Sequence, residues 1–388
     1  MTTSFTKQTS FDYSASIKPT LIKEQLPNYI PFIQNKDFLG HHINYKTDYF
    51  IPNEIAIRFP QILLNEKCLL ISISGAIGNV AVFNHSQDAF IGGAIAVLKF
   101  KEKKSLDFVM HFLMSASGQK SLLNSVKSSS HKNLTIADLR DLLIPLPPLN
   151  EQIAIANILS GLDRYLYSLD ALILKKESVK KALSFELLSQ RKRLKGFNQN
   201  WQKVRLGDIG KPCMCKRVMK HQTTPYGEIP FYKIGTFGNT ADAFISKKLF
   251  LECKAKYSFP KKGDILISAS GTIGRAVIYD GKPAYFQDSN IVWIDNNETL
   301  VKNDFLFYAY SNIKWNTEHT TILRLYNDNF RNTLIPLPPL NEQIAIANIL
   351  SALDHEIISL KNKKRQFENI KKALNHDLMS AKIRVLKK

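Results

Sequence analysis

The residues with the clearest catalytic potential in this sequence are Asp242, Glu252 and Lys254. The spacing Asp…Glu-x-Lys can carry Mg²⁺-dependent hydrolysis of a phosphodiester bond. The pattern is short, however, and it is common in lysine-rich chains such as this one. A nuclease that acts on its own, centred on Glu252 and Lys254, is therefore an alternative interpretation and not the preferred one.

Other motifs for metals or cofactors are weak or missing. Cys213-x-Cys215 with His221 and Cys253 could form a zinc site, but the paired Cys-x-x-Cys spacing of such sites is absent from the sequence. There is no Asn/Asp-Pro-Pro-aromatic motif of a methyltransferase, no glycine-rich cofactor loop and no helicase motif. The sequence therefore predicts a protein that is not an enzyme and that has no metal or cofactor of its own.

Several polar clusters instead contain the residue types that read DNA. Arginine makes paired hydrogen bonds to guanine, and asparagine or glutamine pairs in the same way with adenine. Serine, histidine and lysine also reach base edges or phosphates. Residues of these types occur in segments 128–132, 285–290 and 324–331, and two more follow glycine-containing turns. The candidate DNA-binding residues are Ser129, His131, Lys132, Asn79, Arg275, Tyr285, Gln287, Asn290, Arg324, Tyr326, Asn327 and Arg331.

The net charge supports an acidic partner. The chain of 388 residues has a formal charge of +20 at neutral pH, which favours nucleic acid. The excess is concentrated in segments 175–195 and 361–388, which carry net charges of +6 and +8. The polar N-terminus and the lack of a long apolar run argue against a secreted or membrane protein, and four cysteines are too few for a disulfide framework. We therefore expect a cytoplasmic protein.

A duplicated segment divides the chain into the parts that hold the candidate DNA-binding residues. The eighteen residues 143–160 recur without change at 334–351, and both copies continue with Leu-Asp after one glycine-to-alanine difference. The offset of 191 residues indicates two copies of a domain-sized unit and not a solenoid.

Each copy leads into a long helix. The alternate prolines exclude a helix before Leu149, and Asn150 and Asn341 are suitable N-caps. Apolar residues then recur at heptad-like spacing over about 40 residues, which predicts a coiled-coil seam along a helix of roughly 60 Å. Because the first half of each helix is acidic and the second half basic, antiparallel pairing of the two helices is favoured. The residues assigned to helix pairing or partner binding are Leu149, Glu151, Gln152, Ile155, Leu159, Leu162, Leu340, Glu342, Gln343, Ile346, Leu350 and Leu353.

The two bodies before the helices are predicted to share one fold. Leu69–Gly78 of the first body resembles Ile265–Gly274 of the second, including a Ser-Gly-x-Ile-Gly turn in each, while most of the remaining sequence differs. Neither turn has the Lys-Ser/Thr of a nucleoside-triphosphate loop, so we interpret both as tight turns between strands. The predicted boundaries are 1–143, 144–195, 196–334 and 335–388 for first body, central helix, second body and C-terminal helix.

The proline segment followed by Leu-Asn-Glu-Gln-Ile-Ala-Ile-Ala-Asn-Ile-Leu, present twice, closely resembles the specificity (S) subunits of Type I restriction-modification systems. The opener Trp201…Leu206-Gly-Asp-Ile209 and the Ser-Gly-x-Ile-Gly turns are similar to that family too. The resemblance implies an α/β (α+β) protein with two target recognition domains, separated by two long antiparallel coiled-coil helices in a pseudo-two-fold repeat. One departure is that the first body lacks the opener, since Met1–Tyr13 has no clear match to it.

The resemblance also implies a role and partners. Each target recognition domain would read one half of a bipartite double-stranded DNA target, and the helices would set the gap. Two methyltransferase (M) subunits would dock on the repeats, and restriction (R) subunits would complete the complex. S-adenosylmethionine, ATP and Mg²⁺ would belong to those partners. A methyltransferase or nuclease in its own right, and a coiled-coil scaffold without DNA specificity, are the alternatives.

Overall fold

The computed structural model describes residues 3–7, 12–125, 133–315, 318–319 and 323–386. The chain divides into two compact units, of which unit 1 contains Met1–Asp170 and Asn362–Lys388 and unit 2 contains Ala171–Lys361. Two 40-residue helices, α5 (Leu149–Leu188) and α10 (Leu340–Met379), each pass from one unit into the other. The sequence correctly predicted both helices and their length. No described helix is long and apolar enough to cross a membrane.

The body of unit 1 combines strands with short helices. Its strands are β1 (Thr3–Lys7), β2 (Tyr29–Ile33), β3 (Phe38–Leu39), β4 (His42–Ile43), β5 (Phe50–Pro52), β6 (Leu63–Leu64), β7 (Cys68–Ser72), β8 (Val80–Phe83), β9 (Ala89–Ile91) and β10 (Ile95–Phe100). Its helices before α5 are α1 (Asn53–Ala56), α2 (Leu106–Met114), α3 (Ala116–Asn124) and α4 (Ile136–Arg140).

The body of unit 2 is built in the same way. Its strands are β11 (Gln202–Arg205), β12 (Gly210–Cys213), β13 (Ile229–Tyr232), β14 (Phe244–Ile245), β15 (Ile265–Ser268), β16 (Ala276–Ile278), β17 (Tyr285–Phe286), β18 (Ile291–Asn296), β19 (Glu318–His319), β20 (Leu323–Arg324) and β21 (Leu334–Leu337). Its helices before α10 are α6 (Leu206–Ile209), α7 (Lys247–Lys256), α8 (Asn303–Ala309) and α9 (Asn327–Asn332).

The strand order shows that the two bodies share a fold. Unit 1 has one antiparallel sheet in the order β1-β10-β7-β8, and unit 2 has its counterpart in the order β12-β18-β15-β16. A second sheet holds a parallel pair in each body, β2 with β9 and β13 with β17. Helix α2 or α8 packs on the first sheet, and the buried strands supply continuous apolar runs such as Cys68–Ser72. The predicted similarity of the bodies is confirmed.

The Ser-Gly-x-Ile-Gly segments are tight turns between neighbouring antiparallel strands, β7 with β8 and β15 with β16. Both glycines of each turn have positive φ, for example +64° at Gly271 and +83° at Gly274, a region that favours glycine. A Cβ added at Gly274 would clash with the indole of Trp315. A serine two residues before each segment stabilises the turn. In unit 2, Ser268 Oγ accepts a hydrogen bond of 2.9 Å from the Arg275 backbone N–H.

The start of each long helix differs from the prediction. The Pro148 carbonyl accepts backbone hydrogen bonds from Glu151 (2.9 Å) and Gln152 (3.0 Å), and Pro339 does the same in α10. The helices therefore begin at Leu149 and Leu340, and Asn150 and Asn341 lie inside the first turn, so the N-cap assignment was wrong.

The two helices run antiparallel within each unit, as predicted. In unit 1, Asp170 of α5 pairs with Lys364 of α10 at 2.6 Å, and Tyr165 packs against Phe367 with ring centroids 4.7 Å apart. In unit 2, Lys176 pairs with Glu356 at 2.8 Å. The predicted seam is not uniform, because Val179 and Ile370, which correspond to each other in the repeat, are 45% and 50% exposed.

The aspartate of the repeated Leu-Asp pair, Asp163 or Asp354, contacts both the facing helix and the body of its unit. Asp163 pairs with Lys371 in unit 1, and the equivalent Asp354 pairs with Lys180 in unit 2. The bodies complete these pairs differently. Asp354 accepts a hydrogen bond of 2.8 Å from the Tyr308 hydroxyl.

In unit 1 the same carboxylate faces two histidines. Asp163 Oδ2 lies 3.8 Å from His41 Nε2 and 4.0 Å from His111 Nδ1. His111 is 1% exposed, and its Nε2 lies 3.0 Å from Ser160 Oγ. Burial lowers the pKa of His111 to about 4, although the nearby Asp163 acts in the opposite direction, and burial also lowers the pKa of His41.

We predict that unit 1 loses stability as the pH falls from about 6.5 to about 4. Above this window His111 is neutral in both states. Within it the unfolded chain takes up a proton that the folded chain does not, so the free energy of unfolding falls by up to about 1.4 kcal/mol per pH unit. Urea unfolding at several pH values should show a shallower dependence for His111→Gln than for the wild-type chain. An identical dependence in the two proteins would refute the buried neutral histidine.

Candidate nucleic-acid interface

The clearest candidate site in unit 2 is a basic concavity of about 480 Å³ beside the end of strand β17. It brings together Gln287, Asn290 and Arg324, which the sequence places in two separate clusters. Arg217 and Lys220 line it as well, although the sequence analysis did not single them out. The signal for them was the basic run 216–221, which lies far from the other residues along the chain.

The polar turn of this concavity is held in a fixed conformation. Ser289 has a φ of +59°, which non-glycine residues seldom adopt, and its carbonyl accepts a hydrogen bond of 2.7 Å from the Arg324 guanidinium. Asn290 Oδ1 accepts one of 2.8 Å from Ser270 Oγ. Gln287 Oε1 accepts one of 2.9 Å from the backbone N–H of Ile234. These bonds leave the amide nitrogens of Gln287 and Asn290 as donors that can contact a ligand.

The glycine-containing turn continues this polar surface. Arg275 is exposed, and its guanidinium donates a hydrogen bond of 3.0 Å to the Phe237 carbonyl. Arg275 lines a smaller concavity of about 280 Å³ together with Gly271 and Ile234. The guanidinium is thus oriented by the protein and still has donors left for a phosphate or a base.

Not every candidate of unit 2 has a surface position. Tyr285 is 1% exposed and its hydroxyl donates a 3.0 Å hydrogen bond to the Lys216 carbonyl, so it belongs to the core and we withdraw it as a DNA contact. Tyr326, just before helix α9, is 40% exposed, and Asn327 and Arg331 on that helix are also exposed.

Unit 1 has a concavity of about 630 Å³ at the equivalent place. Gly92 and Ala94 of unit 1 correspond to Gln287 and Asn290 of unit 2, because their backbone groups make the equivalent hydrogen bonds to neighbouring segments of the body. The polar side chains come instead from another element. They belong to Gln34, Asn35 and Lys36, which follow strand β2, and to Lys7 and Tyr13.

These residues of unit 1 are not among the candidates predicted from the sequence. The predicted candidates of unit 1 are Asn79, which is exposed after the glycine-containing turn, and Ser129, His131 and Lys132, which lie outside the described residues. The polar run Gln34–Lys36 directly after an apolar strand was the available signal. Asn35 Nδ2 donates a hydrogen bond of 2.6 Å to the Ser74 carbonyl, which ties this run to the turn.

The repeat residues assigned to pairing or partner binding are mostly internal. Ile155 and Leu159 belong to the core of unit 1, and Ile346 and Leu350 to that of unit 2, each 2% exposed or less. Leu149, Leu162, Leu340 and Leu353 are half-buried. Ile155, Leu159, Ile346 and Leu350 were assigned to helix pairing or partner binding, but each packs into the core of its own unit and is not available as a docking surface for a partner.

The Glu-Gln pair of the repeat is buried for a physical reason. Glu342 is 1% exposed and receives hydrogen bonds from the Arg193 guanidinium at 2.8 and 2.9 Å and from the Trp201 indole at 2.9 Å. Gln343 Nε2 donates to the Leu300 and Pro338 carbonyls at 3.0 and 2.8 Å.

The same arrangement occurs in unit 1. Glu151 is 3% exposed and accepts two hydrogen bonds of 2.6 Å from Arg384, and Gln152 donates one of 2.7 Å to the Pro147 carbonyl. Arg193 and Arg384 are themselves separated by the 191-residue offset.

The candidate residues of the nuclease and of the zinc site make other contacts. Asp242 pairs with Lys233 at 2.9 Å, while the Lys254 ammonium lies over the rings of Phe250 and Phe259. Burial raises the pKa of the Cys215 thiol to about 12. Within the described ranges, no three histidine, cysteine or carboxylate side chains are placed to hold a metal ion.

Comparison with protein families gives two matches along this chain. Residues 16–176 and 198–369 each match the sequence model of the Type I restriction modification DNA specificity domain. A putative type I restriction enzyme specificity subunit of Haemophilus influenzae is 44% identical over 293 residues, covering 73% of this chain and 71% of the relative. The putative MjaX specificity subunit of Methanocaldococcus jannaschii is 29% identical over 330 residues, covering 80% of this chain and 76% of the relative.

Solved structures show the same fold. The S subunit of a Type I restriction-modification system from M. genitalium matches with a TM-score of 0.57 at 17% identity, over 97% of this chain and 96% of that one. A chain from a study of complex assembly and conformational transition of the type I system matches with a TM-score of 0.55 at 18% identity, over 90% and 91% of the two chains.

We predict that Glu342→Gln destabilises unit 2 by about 1–3 kcal/mol, because it leaves a guanidinium and an indole N–H without their buried carboxylate. Urea unfolding followed by tryptophan fluorescence would measure this, since Trp201 contacts the altered group.

The matched control is Glu356→Gln, which removes the more exposed ion pair with Lys176 on the same helix. It should change the free energy of unfolding by less than about 0.5–1 kcal/mol. Equal effects of the two substitutions would contradict the role given to the buried carboxylate.

Proposed function

This chain belongs to the Type I restriction modification DNA specificity family, and we propose that each of its two bodies reads one half of a bipartite, asymmetric DNA target. The role of the chain is that of a specificity subunit, which recognises DNA and does not itself catalyse a reaction. The first body is the sheet-containing part of unit 1, and the second body is that of unit 2.

One observation carries the proposal. The first sheets of the two bodies have the same strand order, yet the concavities at their equivalent positions are lined by different polar side chains. Asn35 and Lys36 supply the chemistry in the first body, while Gln287, Asn290 and Arg324 supply it in the second. A common frame with different contact residues is what two unlike half-targets require.

The second body has the donors needed for direct readout. An arginine reads guanine through two parallel hydrogen bonds, and the amides of asparagine and glutamine read adenine in the major groove. The bond from Arg324 to the Ser289 carbonyl and the bonds that hold Gln287 and Asn290 orient these groups before DNA arrives. Arg217 and Lys220 are suited to phosphate contacts, which position the protein and make binding salt-dependent.

The family membership implies partners as well as DNA. We propose that two methyltransferase subunits dock on the long helices at exposed positions related by the repeat, of which Val179 and Ile370 are one pair, and that restriction subunits join the complex. S-adenosylmethionine, ATP and Mg²⁺ would be bound by those subunits. We propose that the chain acts in the cytoplasm.

We predict that Arg324→Ala weakens binding of the assembled methyltransferase complex to its target by about 1–3 kcal/mol and relaxes the preference at one base pair of one half-target. Arg324→Lys keeps the charge but cannot make the paired bonds, so it should relax the preference as well. Titration against a library of targets, varied one base pair at a time, measures both effects.

Lys262→Ala is the charge-matched control, since Lys262 is exposed and precedes strand β15 at the end away from the glycine-containing turn. Lys262→Ala should weaken binding to all targets slightly and equally. If Arg324→Lys restores the full sequence preference, Arg324 contacts a phosphate only. If Arg324→Ala leaves both affinity and preference unchanged, the concavity is not the reading surface.

A further inference from the structure

One surface feature is nearly the same in the two bodies, although the concavities beside it differ. The glycine-containing turns, residues 74–78 and 270–274, have the sequences Ser-Gly-Ala-Ile-Gly and Ser-Gly-Thr-Ile-Gly. The polar side chains of the concavities have diverged, for example Asn35 in unit 1 and Arg324 in unit 2. A repeated surface next to diverged surfaces is suited to a part of the ligand that does not vary between the two bodies.

The carbonyl groups at the tip of the turn in unit 2 are already bonded. The Gly271 carbonyl accepts a hydrogen bond of 3.0 Å from the Ile273 N–H, and the Thr272 carbonyl accepts one from the Ser268 hydroxyl. The N–H groups of Gly271 and Thr272, by contrast, have no acceptor within the described part of the chain, and both residues are exposed. Two successive backbone donors in a turn form a concavity that attracts anions.

The turn of unit 1 is bonded in the same way. The Ile77 N–H donates a hydrogen bond of 3.0 Å to the Gly75 carbonyl, and the Ser72 hydroxyl donates one to the Ala76 carbonyl. Gly75 and Ala76 are exposed, and their N–H groups likewise find no acceptor among the described residues. A φ of +73° at Gly75 matches the +64° at Gly271, so both tips have one conformation and present the same two donors.

Each turn is bonded to the concavity of its own body through the serine before its first glycine. In unit 2, Ser270 Oγ donates a hydrogen bond of 2.8 Å to Asn290 Oδ1. In unit 1, the Ser74 carbonyl accepts one of 2.6 Å from Asn35 Nδ2. The two backbone donors belong to the next two residues of the chain. A ligand that occupies the concavity therefore lies beside the tip of the turn.

The residue after each turn adds a side-chain donor. In unit 2 this residue is Arg275, whose guanidinium is held by the Phe237 carbonyl at 3.0 Å. It lines the concavity of about 280 Å³ together with Gly271 and Thr272, and its other N–H groups remain for a ligand. In unit 1 the residue is Asn79, which is exposed and neutral. The two turns thus share their backbone donors and differ in formal charge.

We propose that both glycine-containing turns bind phosphate groups of the DNA backbone and so position each body on the duplex. Phosphate oxygens accept hydrogen bonds from backbone N–H groups and from arginine, and such contacts carry no sequence information. Unlike half-targets need different side chains for their bases, whereas their phosphates are chemically the same. The proposal rests on the proposed function, because it assumes that the bodies bind DNA, and it adds the chemical group that the turns contact.

Variants of the residue after each turn test the proposal in the assembled methyltransferase complex. Arg275→Ala should weaken binding to every target about tenfold and leave the preference at each base pair unchanged. The slope of log affinity against log salt concentration should become shallower by about 0.9, because one charged contact to a phosphate is lost. Asn79→Ala should weaken binding about threefold with an unchanged slope, because no charge is removed.

Targets that carry a single neutral methylphosphonate locate the contacted phosphate. One replacement in the half-target read by unit 2 should weaken binding of the wild-type complex but cause little further loss in Arg275→Ala. Replacements elsewhere should affect the two complexes alike.

Thr272→Pro tests the backbone donor, with Thr272→Ala as the matched control. Thr272 lies at the centre of the bond from the Ile273 N–H to the Gly271 carbonyl and has a negative φ, so proline is compatible with this turn. The proline variant lacks the N–H and should lose the effect of the same methylphosphonate, whereas the alanine variant should retain it. Circular dichroism would verify that both variants are folded.

The outcomes separate this proposal from the proposed function. A changed preference at one base pair in Arg275→Ala, an unchanged salt slope in that variant, or the lack of any methylphosphonate position whose effect depends on the turn would overturn the phosphate assignment. The changed base preference of Arg324→Ala would persist in that case, and the proposed function would stand. If neither Arg275→Ala nor Arg324→Ala alters DNA binding, both proposals are wrong.

Discussion

The buried carboxylate at the head of each repeat is the interaction on which both units depend. Glu342 and Glu151 accept paired hydrogen bonds from Arg193 and Arg384, which lie beyond the end of the other long helix. A carboxylate that is 1–3% exposed is costly unless it is fully bonded, so the arginine must return to this point. The pair therefore joins the beginning of one helix to the segment that follows the other, and the equivalent arginine makes this pair in both units.

This constraint explains why the repeat is exact while the bodies differ. The repeated Asp163 and Asp354 each pair with a lysine of the facing helix, while the group that each body places beside the carboxylate differs. In unit 2 the Tyr308 hydroxyl donates a hydrogen bond to Asp354, whereas in unit 1 Asp163 Oδ2 faces His41 and His111, both with lowered pKa values, at 3.8 and 4.0 Å, beyond hydrogen-bond distance. The ion pairs between the helices are thus the same in both units, while the contacts from the helices to the bodies differ. The DNA-reading surfaces of the bodies can therefore diverge without loss of the fold.

Most of the fold and part of the candidate DNA-binding site could be predicted from the sequence alone. Exact duplication, heptad spacing and the asymmetry of charge along the helices predicted two long antiparallel helices and two related bodies. Burial was the main source of error. Glu151 and Ile155 were assigned to helix pairing or partner binding, but whether such residues are buried depends on the body packed against the helix, which the sequence of the helix does not show. Tyr285 was likewise predicted to contact DNA, although it is buried in the core of unit 2. Arg217 and Arg324 are 107 positions apart along the chain and line one concavity, a proximity that no local pattern contains.

We propose that the long helices α5 and α10 set the gap between the two half-targets. Seven residues inserted after Asp170 in α5 and seven after Lys361 in α10 lie at the points where the chain passes between units, so they leave the internal contacts of each unit intact. A heptad preserves the seam and adds about 10 Å of helix, which corresponds to about three base pairs of DNA. Sequencing of the methylated sites produced by the assembled complex should then show the same half-targets with a gap longer by about three base pairs. The same half-targets with an unchanged gap would contradict the account.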